Sequence, residues 1–260
     1  MKRFALAAFV CLAAATFVRA DDWSKSYSIS GKADLRITTS DANIKVDTWD
    51  QNTIEAHVVA DNYKIGDSVK IDERQSGDSV AIDVRFPFRV MSFRIHHRVD
   101  IEIHMPREGR LNLHTGDGAI RLANFRGDMQ LETGDGRVEI DSVDGTLNAK
   151  SGDGHITVVG RFDSLNVTTG DGHIDARALA GSTMASSWTL HTGDGSVRLG
   201  LPETFSAELD LHTSDGHIDV GVPLTVQGRL GQKNIHGKLN NGGALLTVHT
   251  GDGSIHLEKL

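Results

Sequence analysis

The 260-residue chain has one cysteine and four prolines, and beyond its first twenty residues it has no apolar run long enough to cross a bilayer. Each shortage excludes something. A single thiol, Cys11, closes no disulfide within the chain and offers no thiolate cluster for a structural metal. So few prolines, with no long Ser/Gly run, argue against a flexible linker between domains. Helical periodicity is missing too, because apolar residues recur at every second position rather than every third or fourth. The one stretch that suits a helical turn lies at residues 178–187. There is no Gly-x-Ser-x-Gly elbow, no His-Glu-x-x-His and no glycine loop leading into a helix, so the familiar hydrolase, zinc-protease and phosphate-binding signatures are absent. Basic residues number 27 against 35 acidic, a net charge of −8. That balance argues against nucleic acid or anionic lipid as the main partner.

The first twenty residues read as a signal peptide. Met1-Lys2-Arg3 is basic, Phe4 to Val18 is apolar and alanine-rich, and Val18-Arg19-Ala20 is a cleavage site before Asp21-Asp22. The expectation is an exported protein, periplasmic or extracellular at the cell surface, with no transmembrane segment in the mature chain. Loss of Lys2, Arg3 and Arg19 takes the charge from −8 to −11 and leaves no cysteine. About 240 residues can bury a sufficient core without covalent staples.

What is present is a repeat. Thr115-Gly116-Asp117-Gly118 returns in near copies at Thr133, Ser151, Thr169, Thr192, Thr213 and Thr250, and the first four copies are 18 residues apart. Four and two residues before each Thr/Ser, and five and seven after it, every residue is apolar, from Leu111, Leu113, Ile120 and Leu122 to Leu246, Val248, Ile255 and Leu257. Strict alternation on both sides of a turn predicts two half-buried strands per repeat. A degenerate copy stands at Thr39-Ser40-Asp41-Ala42.

A unit this short cannot bury its stripe alone. The favoured arrangement is a right-handed parallel β-solenoid (β-helix) of about 18-residue coils, in which like residues stack about 4.8 Å apart. The alternative is an antiparallel β-sandwich, with each strand paired across its own turn. The domain reading is signal peptide 1–20, N-terminal β region and cap 21–106, and solenoid repeats 107–260. Before residue 106 alternation persists without the period, at Ile54, Ala56 and Val58, then Val80, Ile82 and Val84, then Val99, Ile101 and Ile103. The far end reads as uncapped, with Ile255 and Leu257 in a last, exposed strand.

Stacking turns the repeat into surface columns. Asp117, Asp135, Asp153, Asp171, Asp194, Asp215 and Asp252 form a weak candidate metal ladder, with calcium as the cation. The competing reading is structural: Asp makes an Asx-type turn, and the glycines supply positive φ. Those glycines are Gly116, Gly118, Gly134, Gly136, Gly152, Gly154, Gly170, Gly172, Gly193, Gly195, Gly216, Gly251 and Gly253. Histidines recur just before the Thr (His114, His191, His212, His249) and just after the second Gly (His155, His173, His217). Stacked neighbours such as His191 with His212, or His155 with His173, could serve zinc or a pH response, but the favoured reading is a solvated mixed ladder. Glu132 beside Lys150 and Arg121 beside Glu139 fit cross-strand pairing. Asn112, Gln130, Asn148 and Asn166 fit an amide ladder. Trp188 reads as buried. The one basic and aromatic patch carries Arg85, Arg89, Arg94 and Arg98, with phenylalanines between them.

The run from Leu111-Asn-Leu-His-Thr-Gly-Asp-Gly-Ala-Ile-Arg-Leu122 through Ser254-Ile-His-Leu257, with Asn43-Ile-Lys-Val-Asp-Thr-Trp49 and Ile101-Glu-Ile-His-Met-Pro106, resembles a bacterial family of exported β-strand-repeat proteins regarded as adhesin-like, a domain of unknown function. The resemblance spans residues 25–260 and implies a parallel β-solenoid with no catalytic residues to carry over. Three functions follow. One is a non-enzymatic, adhesin-like binding or scaffold module at the cell envelope, with protein or polysaccharide as partner and no cofactor. Another is a polysaccharide-active β-helix enzyme using paired aspartates such as Asp153 and Asp171. The third is a cation-dependent structural protein.

Overall fold

The computed structural model describes residues 21–86, 98–226, 231 and 233–260. The leader with Cys11, and Arg89 and Arg94 of the basic patch, lie outside these. Among the described residues there is no helix; the order is strand after strand. β1 (Asp21–Ser28), β2 (Ala33–Thr39), β3 (Asn43–Trp49), β4 (Thr53–Asp61), β5 (Lys70–Ser76), β6 (Ser79–Arg85) and β7 (Arg98–Pro106) precede the regular repeats. Then come β8 (Glu108–Thr115), β9 (Ile120–Ala123), β10 (Arg126–Thr133), β11 (Val138–Ser151), β12 (Ile156–Thr169), β13 (Ile174–Ala178), β14 (Trp188–Thr192), β15 (Val197–Leu201), β16 (Ala207–Thr213) and β17 (Ile218–Val220). β18 (Leu224–Val226), β19 (Asn234–Leu239), β20 (Leu245–Thr250) and β21 (Ile255–Lys259) complete the chain.

Strands do not pair across the Thr-Gly-Asp-Gly corner. Each pairs in parallel with its counterpart in a neighbouring coil, so Leu111, Met129, Leu147 and Leu165 lie in one row and Ile120, Val138, Ile156 and Ile174 in another. The corner carries the chain from one face of the stack to the other, and the alternating apolar residues point between the two faces. All the predicted inward positions are buried except Ile218 and Val220, which are half-buried because β17 is the last strand of its face. Antiparallel pairs occur only toward the ends: β1 with β4, β4 with β7, β5 with β6, and β19 with both β16 and β18. The sheet as a whole is therefore mixed.

The order of the coils departs from the order of the sequence at both ends. β20 and β21, expected as an exposed terminus, pair with β14 and β15 on one side and with β16 and β17 on the other. The copy at Thr250 thus lies inside the stack, and the copy at Thr213 is outermost. The segment preceding Leu239, which carries no Thr-Gly-Asp-Gly turn, returns as β19 antiparallel to β16. At the other end β2 and β3 lie between β6 and β7 on one side and β8 and β9 on the other. The stretch 178–187 forms no helical turn. It follows the corner of the coil beneath it, with the Leu179, Thr183 and Ala185 amides donating to the Gly160, Phe162 and Asp163 carbonyls.

The corner explains its own sequence. Every Thr/Ser of the repeat is buried. From Thr115 on, each hydroxyl donates to a carbonyl of the adjacent coil: Thr115 to Ala42 at 2.9 Å, Thr133 to Gly118 at 2.8 Å, Ser151 to Gly136 at 3.1 Å and Thr169 to Gly154 at 2.9 Å. The series continues with Thr192 to Gly172, Thr250 to Gly195 and Thr213 to Gly253. Several also accept the amide of their own second glycine, as Thr133 does from Gly136 at 3.2 Å. The expected positive φ is not found at any of these glycines. What they provide is the absence of a Cβ: one built on Gly136 or Gly154 falls 1.9 or 2.0 Å from the carbonyl oxygen of the coil beneath. The copies without a full glycine pair are the first, Ser40 and Ala42, and the outermost, Ser214.

Two substitutions separate these roles. Thr169→Val keeps the shape but leaves the Gly154 carbonyl without its buried donor, so thermal or denaturant unfolding should show a loss of about 1–3 kcal/mol. Gly154→Ala forces two backbones apart and should lose about 3 kcal/mol or more. Wild-type melting of either variant contradicts the stacked corner.

Candidate functional site

The molecule presents two broad exposed faces, two corners and two ends, and each predicted site residue that is described has a place on them. All seven repeat aspartates are exposed along one corner. Asp215 approaches Lys233 at 3.5 Å, and the other six have no ion-pair partner among the described residues. No three His, Cys, Asp or Glu side chains among the described residues are placed to hold a metal ion. Asp153 and Asp171 stand exposed on the open corner.

The basic patch is divided. Arg85 is ion-paired with Asp72 and with Asp83, and Arg98 lies 2.7 Å from Asp100. Both described arginines are thus neutralised by acids of their own strands or strand neighbours. Trp188 is fully buried, edge-on to Phe162, and its indole N–H donates to the Asp163 carbonyl at 3.4 Å.

Histidines just after the second glycine do structural work that the sequence did not reveal. His155 Nδ1 accepts the backbone N–H of His173 at 3.2 Å, and His173 Nδ1 accepts that of Ser196 at 2.8 Å. Asn43 does the same for Ala119 at 3.0 Å, and Ser196 for Ser254 at 3.2 Å. Asn, His and Ser each supply an acceptor at that height, while Ala119 and Arg137 in the same column have none to offer. The other histidine column is reordered by the topology: His191 neighbours His249, and His249 neighbours His212, so His191 and His212 do not touch as expected.

The charge columns interlock. Arg121 donates to Glu139 at 2.7 Å and Arg137 reaches the same carboxylate at 3.3 Å. Glu132 is in register with Lys150 but makes its ion pair with His114, at 3.8 Å. At the opposite corner Arg126 and Arg161 both meet Asp144. Asn112, Gln130, Asn148 and Asn166 are in register, yet no side-chain hydrogen bond links them among the described residues, and Asn148 Oδ1 is buried without a partner. Concavities are shallow and open. The larger, about 570 Å³, runs along the corner of Arg126, Asp144 and Arg161, and another of about 420 Å³ lies over Arg121 and Glu139.

The Arg121 hydrogen bond, opposed by burial and helped by Arg137, holds the Glu139 carboxyl below its ordinary range. A carboxyl lowered on folding stabilises the fold above its unfolded pKa, and that contribution disappears as pH falls through the folded value. Glu139→Gln should therefore cost about 0.5 kcal/mol or less at neutral pH, given solvent screening of so exposed a pair. Melts of the two proteins should converge in acid; a gap that widens there contradicts the assignment.

Comparison with known proteins follows the geometry. No curated protein matches the chain. Among solved structures, a candidate cell adhesion protein from Clostridium sporogenes is similar at 13% identity and TM-score 0.46, covering 93% of this chain and 100% of that one. A candidate adhesin from Bacteroides fragilis is similar at 11% identity and TM-score 0.45, covering 92% and 97%. A candidate lipid binding protein from Parabacteroides distasonis is similar at 15% identity and TM-score 0.44, covering 91% and 96%. The profile of one family matches residues 25–177 and again 160–258. Spanning nearly all the described residues, that match shows that the chain belongs to the Toastrack DUF4097 family.

Proposed function

We propose that this protein is an exported, non-enzymatic binding or scaffold module of the bacterial cell envelope, adhesin-like in action. In this reading residues 1–20 are a leader removed on export, residues 21–106 cover one end, and residues 107–260 wind as a right-handed parallel β-solenoid, the hand expected of parallel crossovers. The observation that carries it is the surface. Two broad faces hold polar side chains in register across successive coils, and the concavities between them are open and shallow. Such faces suit extended contact with a partner surface or polymer. A reaction site, by contrast, needs converging groups in a water-excluding pocket.

The test uses the full chain expressed with its leader. Mass determination should give a mature chain beginning at Asp21 in the periplasmic or surface fraction, and that material should bind isolated envelopes saturably. It should release no reducing ends from acidic polysaccharides. Release that is lost on Asp153→Asn or Asp171→Asn would overturn the reading in favour of a polysaccharide-active enzyme.

A further inference from the structure

The outer end of one face gathers four histidines from four separate strands. His191 on β14, His249 on β20 and His212 on β16 lie in one row, because β20 is inserted between the other two strands. The rings of His212 and His249 are 5.5 Å apart. The antiparallel β19 adds His236 opposite Asp210 and Lys238 opposite Glu208. His236 Nδ1 lies 3.2 Å from Asp210 Oδ1. On the other side His249 Nε2 lies 3.6 Å from Asp210 Oδ2, buried and without a hydrogen-bond partner.

The charges facing this patch can be taken strand by strand. Among the described residues β16 supplies Glu208 and Asp210, β19 supplies Lys238, and the remaining outward side chains, Thr189, Thr247, Asn234 and Leu245, are uncharged. Lys233 at the nearby corner is taken up by Asp215, and Lys150 lies two strands beyond His191. With neutral imidazoles the patch carries −1; with all four protonated it carries +3. Histidine is the side chain that makes this change between about pH 5 and 8. Full protonation would take the patch from −1 to +3, whereas the nine histidines elsewhere would bring the rest of the mature chain only from −10 to −1.

We propose that this patch is a docking surface for an anionic polysaccharide, engaged when the surroundings turn mildly acidic. The row of imidazoles crosses the strands at steps of about 4.8 Å, which presents a line of charge to a linear polyanion. Beside it lies an open depression of about 270 Å³ walled by Glu208, Asp210 and His236, with Leu245 exposed at its edge as a seat for the apolar side of a sugar ring. A lipid surface would call for several insertable apolar groups, and among the described residues Leu245 is the one large exposed apolar side chain of this patch. The proposal rests on the binding-module reading and adds to it the ligand class and the condition for binding.

The test measures binding of the full mature chain to immobilised polygalacturonate at pH 5.5 and 7.5 at constant ionic strength, with dextran and anionic phospholipid vesicles in parallel. Wild type should bind polygalacturonate about tenfold more tightly at the lower pH, with no such gain for dextran and less for vesicles. The combined His191→Asn, His212→Asn, His236→Asn, His249→Asn variant should lose the pH response. His236→Asn alone changes only a largely exposed ring, so it should lower acid binding about threefold without altering the melt. Equal binding at both pH values, a response retained by the fourfold variant with intact circular dichroism, or stronger binding to vesicles each overturns the proposal. Envelope binding that persists in the fourfold variant at both pH values would leave the broader reading standing while this one fails.

Discussion

The whole structure depends on how closely one coil's backbone can lie on the next at the Thr-Gly-Asp-Gly corner. There the amide of the first glycine donates to the carbonyl of its counterpart in the adjacent coil, as Gly193 does to Gly170 at 2.5 Å and Gly251 to Gly193 at 2.6 Å. The Thr hydroxyl bonds the carbonyl two residues further on. No room remains for a Cβ. At the outermost coil, where no further repeat corner stacks above, Ser214 replaces the first glycine and its amide lies 2.9 Å from the Gly251 carbonyl. Threonine and glycine are thus one device. The hydroxyl draws the coils together, glycine allows the approach, and the strands on both sides are held in the register that makes like residues neighbours.

That register also governs how the ends are finished. A parallel stack leaves an open edge on its first and last coil, and open edges recruit other strands. Here the chain leaves the stack before its ends and comes back. At one end it passes from β3 out through β4 to β7 and returns as β8; at the other it passes from β15 out to β19 and returns as β20 and β21. The excursions lay antiparallel strands over both edges at the first end and over the β16 edge at the second, leaving β17 open among the described residues, and the two terminal copies become interior coils. Tyr27, on the covering strand β1, is buried with its hydroxyl 3.3 Å from Glu73 of β5, so the covering layer is itself tied across. Burial first, and then the Glu73 charge and hydrogen bond, hold that phenol protonated well above its ordinary range.

What the sequence made legible was the coil, and what it hid was the order of coils. Alternation around each corner identified the inward residues almost without error, because a period of two admits only one buried face. Trp188 was placed correctly for the same reason. Nothing local distinguishes the neighbour of Thr192 from any other copy, since the copies share the same corner chemistry. The insertion of Thr250 between Thr192 and Thr213 is a property of the whole chain. His249 therefore came to lie between His191 and His212, and His236 joined them from a segment that carries no Thr-Gly-Asp-Gly turn. The glycines were recognised with the wrong cause: a Gly-Asp-Gly run suggests left-handed φ, whereas contact with the adjacent coil, invisible in one repeat, is what requires them. Arg85 and Arg98 read as a patch only until Asp72, Asp83 and Asp100 were brought beside them.

Stacking also constrains what a column can carry. Like charges one coil apart repel by about 0.9 kcal/mol even in bulk water, and more where solvent is scarce. Most charged positions avoid this by alternating along the stack, as in the row of Glu108, Arg126, Asp144 and Arg161 or the pair Arg121 and Glu139. The corner aspartates do not alternate and lie exposed to solvent, and Lys45 beside Arg121 and Asp72 opposite Asp83 are two further like-charged neighbours. Histidine offers a third solution, because a row of neutral imidazoles stacks without repulsion and acquires charge only when protons are supplied. At the outer end that row lies against Asp210, which opposes part of the repulsion once the rings are charged. Neighbouring lysines in the same row would repel at every pH, and threonines would never respond. A stack of this kind can therefore hold a concentrated positive patch only if its charge is conditional.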